Sequence, residues 1–473
     1  MSSAADISPT LCKASKLPPG PGLFATFNFV RNPYIFLDDC ARRYGDWFTL
    51  RVPGVAPFVF TSDPTAIRDI FQGDPAVFHA GKANRPLGAF MGERSLLFVD
   101  GPAHLHDRRL ILPAFHGERM KSYAETMRTV ADAEIERWPT GTPFPIHPAM
   151  RAITFEVIMR TVFGLQDGPV ASGIRDTVTK LFTLYASRMG TLFVLKAAQI
   201  DLGPWSPWGR VVRLHREFSS LLFSEIRRRR EAKSEARDDV LSMMMEARDE
   251  NGAPLDDDAL RDEMLTLLLA GHETTAASLS WVINRLIANP EVAIRAREEV
   301  KNMLAGEPLN AEQVGKLKYI EAIINETMRL DPVIPNAGRE LQAPVTIAGR
   351  ALPAGVVLAP CIYLAHRRAE LWPEPSKFNP DRFMSGRIDP YAFFPFGGGT
   401  RRCIGAAFAT YQMKIVLAEI LSRVELKPVP GYSARIERKS IALAPSEGLP
   451  VVISRSVTGE EFSPGDPGPC GGR

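Results

Sequence analysis

A lone cysteine carries the strongest chemical signal in the chain. In Phe396-Gly397-Gly398-Gly399-Thr400-Arg401-Arg402-Cys403-Ile404-Gly405 it stands among glycines, behind two arginines and ahead of an apolar helical pattern over 406–424. A helix N-terminus presents unpaired N–H groups and a positive dipole end, and both favour a thiolate. Glycines take backbone angles closed to other residues and let the chain pass close to something flat or bulky. Such a cysteine suits a metal ligand, a nucleophile or an ordinary buried thiol, and these residues alone leave all three open.

A second signal interrupts the longest helical pattern, 256–289. At 1.5 Å per residue this is a rod of roughly 50 Å. Asp256, Asp257 and Asp258 suit its start, and Asn289-Pro290 its end. Midway stands Ala270-Gly271-His272-Glu273-Thr274-Thr275. Gly271 costs about 1 kcal/mol of helix stability relative to alanine, and the threonines are weak helix formers. A carboxylate at a core position is expensive unless paired. A local rule broken there marks a functional place. The bland alternative is a kink whose hydroxyls bond back to the preceding turn.

Weaker pairs surround these two. His104 and Arg108 lie four apart on a helix that Pro102 can start, so both face one side. They suit an anion clamp, but on these residues alone a solvated face is the favoured reading. Glu326 and Arg329 lie three apart within a helical pattern over 319–330. An isolated pair at that spacing belongs on a surface. The run Arg227 to Arg230, flanked by Glu225, Glu231 and Glu235, reads as a solvated face at a helix C-terminus.

The elements that position these residues are mostly helical. Residues 33–44 put Tyr34, Phe36, Leu37, Cys40 and Ala41 on one helical face. Residues 47–51 and 58–61 alternate as strands do, around a turn at Pro53-Gly54. Residues 79–98 read as a long apolar loop, of the kind that covers something or is itself functional. Short strands at 344–347, 349–352 and 356–359 follow Arg339, and Pro380-Asp381-Arg382-Phe383 lies in a Pro-rich loop before the cysteine. The fold class is mainly α with a small β region.

Composition excludes several functions. The 473 residues are 45% apolar and 23% charged with a net charge of +3, too balanced to argue for nucleic acid. Five cysteines, at 12, 40, 361, 403 and 470, are scattered without a CxxC pair. That argues against a disulfide framework or zinc site and for a reducing cytosol. No apolar run of about 20 residues provides a transmembrane anchor, and no signal peptide is legible, so a cytoplasmic protein is expected. Residues 1–16 read as a disordered leader, 17–456 as one domain and 457–473 as a disordered Gly/Pro-rich tail.

Ala-Gly-His-Glu-Thr-Thr, Glu-x-x-Arg, Pro-Asp-Arg-Phe and Phe-x-x-Gly-x-Arg-x-Cys-x-Gly stand in that order along the chain. The set resembles the cytochrome P450 superfamily of haem-thiolate monooxygenases, in its soluble bacterial form, over nearly the whole sequence. The resemblance implies the P450 fold, with the long central helix over haem b (iron protoporphyrin IX). It implies Cys403 as the thiolate on iron, with Phe396, Gly405, Ala270 and Gly271 against the haem. His104, Arg108, Arg339 and Arg401 would hold the propionates. Glu326, Arg329 and Arg382 would form a structural triad. Thr274 and Glu273 would be catalytic, managing oxygen and protons, and His272 would not be an iron ligand. Electrons would come from a ferredoxin or flavodoxin with its NAD(P)H-dependent reductase, docked near Arg109, Arg402 and Lys414.

An apolar small-molecule substrate is expected against residues 86–98, 182–195, 267–274 and 333–336. A fatty acid or terpenoid is favoured over a steroid or polyketide, with Arg85, Arg94 or Arg188 available for a carboxylate. A monomer is expected. The alternative is a haem-thiolate binding or sensor protein without monooxygenase turnover.

Overall fold

The computed structural model describes residues 17–22, 25–52, 55–88, 90–187, 193, 199–232, 237–439 and 441–455. The predicted leader, the Pro53-Gly54 turn, Arg188 and the predicted tail lie outside these residues. The described chain is mainly helical with small sheets, as the patterning predicts.

The central helix runs Asp257–Ala288. Asp256 caps it by accepting the Ala259 N–H at 2.8 Å, and Asp257 and Asp258 lie in its first turn where the dipole favours anions. Met264, Leu268, Leu279, Val282 and Ile283 are all fully enclosed. The helix is buried nearly all round, so it is a rod through the core and not an amphipathic surface helix. Helix Ile146–Thr161 packs along one side of it, and Lys318–Leu330 and Ala406–Arg423 pack on others.

The main sheet has five strands in the order Trp47–Leu50, Phe58–Thr61, Val357–Pro360, Arg339–Leu341 and Phe78–His79. Phe58–Thr61 runs parallel to Val357–Pro360, with Phe58 opposite Val357, and the other pairs are antiparallel. The predicted strands at 344–347 and 349–352 form a separate two-stranded sheet, and Arg339–Leu341 and Phe78–His79 carry no strand reading; the other three strands of the main sheet fall within a residue or two of the reading. Their union into one sheet was not visible there, because the partners are far apart in the chain. This sheet places Arg339 at the edge of the site.

Two expectations are corrected. Residues 79–98 are not a plain loop: they hold the short helix Ala80–Asn84 and a 3-10 turn, Arg85–Leu87. The arginine run is not uniformly solvated. Arg229 is 5% exposed and bonds Glu225 Oε1 at 2.7 Å, Asp239 Oδ1 at 2.7 Å and Ser242 Oγ at 2.8 Å. No helix among the described residues is long and apolar enough to cross a membrane.

Candidate active site

The cysteine stretch folds as it does because of its glycines. Gly397 (φ 69°) and Gly399 (φ 66°) are left-handed, which side chains resist. A Cβ on Gly398 would stand 2.3 Å from the Phe71 ring. The chain can therefore turn sharply, and the Cys403 N–H donates to Phe396 O at 2.9 Å. Helix Ala406–Arg423 then starts from Gly405. The loop presents Cys403 to one cavity of about 820 Å³. Burial pushes its thiol up from the ordinary value, while the Gly405 N–H, Arg108 and Arg402 pull it down. The lowered thiol expected from the helix end and the arginines is thus corrected: desolvation is the larger influence.

The central helix forms a second wall of the same cavity. Glu263, Leu267, Ala270, Gly271, Thr274 and Ser278 recur at helical spacing along it. A Cβ on Gly271 would meet Ile158 Cδ1 at 3.1 Å, so the groove there is narrow. The Thr274 hydroxyl donates to Ala270 O at 2.6 Å, which leaves its oxygen free to accept from the cavity. The hydroxyl thus bonds back to the preceding turn and also faces the cavity. Glu273 does not line the cavity. It points to helix Ile146–Thr161, with Oε1 at 2.6 Å from Arg151 Nε. His272 also turns away, its Nδ1 at 3.0 Å from Thr154 Oγ1. Burial, then Arg151, keep His272 far below its ordinary pKa, so it is neutral.

A third wall is cationic. His104, Arg108, Arg339 and Arg401 all line the cavity, brought together from three separate segments of the chain. Burial and neighbouring guanidinium groups lower His104 to about 4, and burial followed by Arg401 lowers Arg339 to about 10. Among the described residues the Arg339 guanidinium donates to two carbonyls, Gly398 O at 3.0 Å and Gly338 O at 2.8 Å. Arg401 meets Asp100, whose carboxylate is already engaged by the Gly81 and Lys82 N–H groups at 2.8 and 3.0 Å. One carboxylate among three arginines leaves a positive surplus, with His104 neutral beside them, and a ligand with anionic groups at one edge fits it. Haem, with two propionates at one edge and an iron that takes a thiolate, fits this donor set.

Behind the cysteine loop, Glu326, Arg329 and Arg382 do assemble. Arg329 bonds Glu326 through Nε at 2.6 Å and Nη2 at 2.8 Å, and Arg382 Nε stands 3.4 Å from Glu326 Oε1. Glu326 and Arg329 are both 0% exposed, so the surface-pair reading of this spacing is corrected.

Other expectations fare unevenly. Leu87, Phe90, Met91, Leu96 and Leu97 line the cavity, as do 332–339; of the described part of 182–195, Tyr185 does. Arg85 and Arg94 do not, and Arg94 is paired with Asp256 at 2.5 Å. Lys414 is not a docking residue: it is 6% exposed and bonds Glu321 at 3.0 Å. Glu263, Thr266 and Ile158 went unnoticed in the sequence. Counting back from Thr274 by helical turns would have found Glu263.

The sequence matches the cytochrome P450 family over residues 16–450. A protein of Mycobacterium tuberculosis described as "Putative cytochrome P450 135B1" is 40% identical over 92% of this chain and 91% of its own length. Another from that organism, "Putative cytochrome P450 138", is 33% identical over 93% of this chain and 97% of its own. A solved structure, "Retinoic acid bound cyanobacterial CYP120A1", superposes with a TM-score of 0.80 at 26% identity, covering 94% of this chain and all of that one. The chain belongs to the cytochrome P450 family of haem b-dependent monooxygenases.

Proposed function

We propose that this protein inserts one oxygen atom into a sizeable apolar substrate, a terpenoid or fatty-acid-like molecule, with electrons from a separate ferredoxin or flavodoxin. The observation that carries this reading is one cavity joining a cysteine floor, a cationic wall and a helix groove of small residues. Haem b, when bound, supplies the iron at which dioxygen is activated. Cys403 would ligate that iron, and His104, Arg108, Arg339 and Arg401 would hold the propionates. Phe396 and Gly405 would pack beside the sulfur, with Ala270 and Gly271 on the opposite face. Thr274 Oγ, having spent its own proton on Ala270 O, accepts an O–H from the cavity and holds it in place. Glu273 sits one residue away but faces Arg151, which is 37% exposed, so it connects the helix to solvent and not to the cavity. The apolar linings from 87–97 and 332–335 exclude water and accept hydrocarbon. The retinoic acid named for the cyanobacterial neighbour is an elongated molecule of this kind. Exposed Arg402, next to Cys403, suits an acidic electron donor.

The test is a carbon monoxide difference spectrum of the reduced protein beside that of Cys403→Ala. A thiolate-type band lost only in the variant supports the reading. A band of another type in the wild type overturns it. Thr274→Ala is expected to keep that band while product formed per NAD(P)H consumed falls about tenfold or more, the scale of a lost proton-positioning group. A thiolate-type band with no NAD(P)H consumption under any ferredoxin or flavodoxin would make the protein a haem-thiolate binder instead.

A further inference from the structure

Among the described residues that line the cavity, Glu263 is the single carboxyl side chain. It lies eleven residues before Thr274 on the same helix. That is about three turns, so the two share a face and stand roughly 16 Å apart along the axis. Glu263 is 3% exposed. One of its oxygens accepts the Leu96 N–H, and among the described residues the other has no hydrogen-bond partner. The two nearby polar side chains on the cavity wall are already engaged. The Thr266 hydroxyl bonds Ser95 Oγ at 2.8 Å and Asp262 O at 2.7 Å, and the Tyr185 hydroxyl meets His215 Nε2 at 2.7 Å. Asp107 and Asp262 both add negative potential at Glu263, which opposes a second anion there.

We infer that Glu263 is a specificity-determining residue that takes the hydroxyl end of an elongated, uncharged apolar substrate while the far end lies beside Thr274. This rests on the apolar-substrate reading above and narrows it to alcohols over free fatty acids. The buried acid is pushed up to about 8 by burial, so near neutral pH it can donate to the ligand oxygen as well as accept from it. A carboxylate ligand gains no cation at this end, since Arg94 and Arg261 are committed to Asp256 and Asp262.

The experiment titrates the haem-loaded protein with tetradecanol, tetradecanoic acid and tetradecane, following the haem spin-state shift. The alcohol is expected to bind about tenfold tighter than either of the others, the scale of one buried hydrogen bond. Glu263→Leu should lose that advantage while its tetradecane affinity stays unchanged, and Glu263→Gln should keep most of it. The anchor is overturned if Glu263→Leu retains the wild-type preference for the alcohol, or if the wild type prefers the acid. If Glu263→Leu fails to load haem, the ranking of the three ligands on the wild type decides alone. Protein with a normal thiolate band that shifts with none of the three overturns the apolar-substrate reading, and the anchor with it. Protein that binds all three alike overturns the anchor only.

Discussion

Glu326 and Glu263 are both buried glutamates on core helices, and their surroundings differ completely. Glu326 accepts two bonds from Arg329, one from the Asn379 N–H at 2.9 Å, and has Arg382 alongside. Arg329 in turn donates to His366 O at 2.9 Å and Pro375 O at 2.8 Å. Each charge of this triad has its partner among the described residues. Glu263 has a single backbone donor and two acidic neighbours, and across the same cavity three arginines share one carboxylate, with His104 held neutral beside them. Buried charge that is fully answered holds a fold together, and a buried polar group with hydrogen-bonding capacity left over awaits a ligand.

The sharpest way to break this comparison is Arg329→Leu. It leaves Glu326 without its bidentate partner and removes donors from the carbonyls of the loop that leads to Pro380–Phe383. A loss of about 3–5 kcal/mol is expected, as for any fully buried pair cut in half. Urea unfolding of the haem-loaded protein measures it. A loss under about 1 kcal/mol, the size of a surface pair, would mean that the network is dispensable.

Glu263→Gln sharpens the other side, through pH. The folded-state pKa of about 8 lies above the ordinary 4.5, so between those values the folded protein holds a proton that the unfolded chain has released. Wild-type stability from this group therefore falls as pH rises through that window, and is flat below it. Glutamine has no proton to lose. The stability difference between variant and wild type should grow in the variant's favour from about pH 4.5 to about pH 8, by on the order of 4–5 kcal/mol. Parallel pH–stability curves would show that Glu263 is ionised in the fold throughout.

How much of this was legible beforehand follows the same division. The cysteine loop was readable because its glycines, arginines and cysteine are contiguous, and local sterics alone demand them. The long helix was readable from its caps and period. The triad's burial was not, because nothing in Glu-x-x-Arg says that Pro375, Lys377 and Asn379 will fold over it. Arg339 reaches the cationic wall only because a strand near residue 340 joins one near residue 358, a pairing with no local signature. Glu273 and Thr274 stood together in the sequence reading as the proton- and oxygen-managing pair, and helical phase puts Thr274 on the cavity and Glu273 against Arg151. Adjacent residues on a helix point about 100° apart, and the motif as a string hides that.

The smallest expected effect lies in the arginine run, where both kinds of surroundings occur side by side. Arg230 pairs with Asp257 across the surface, Nη1 to Oδ2 at 3.0 Å, and each side chain is between 40% and 50% exposed. Solvent and salt screen such a pair, and ordering two long side chains offsets most of its Coulomb gain. Arg230→Ala should therefore cost under about 1 kcal/mol in urea unfolding, and less still in high salt. Its neighbour Arg229 is 5% exposed against Glu225 and Asp239, which are 2% and 6% exposed. Arg229→Ala removes the buried guanidinium that both carboxylates share and leaves Glu225 to Arg228 and Asp239 to Ser242, so its loss should exceed that of Arg230→Ala and should not fade with salt. Equal losses from the two substitutions would mean that burial does not decide what an ion pair contributes here, and that Glu326 and Glu263 differ for some other reason.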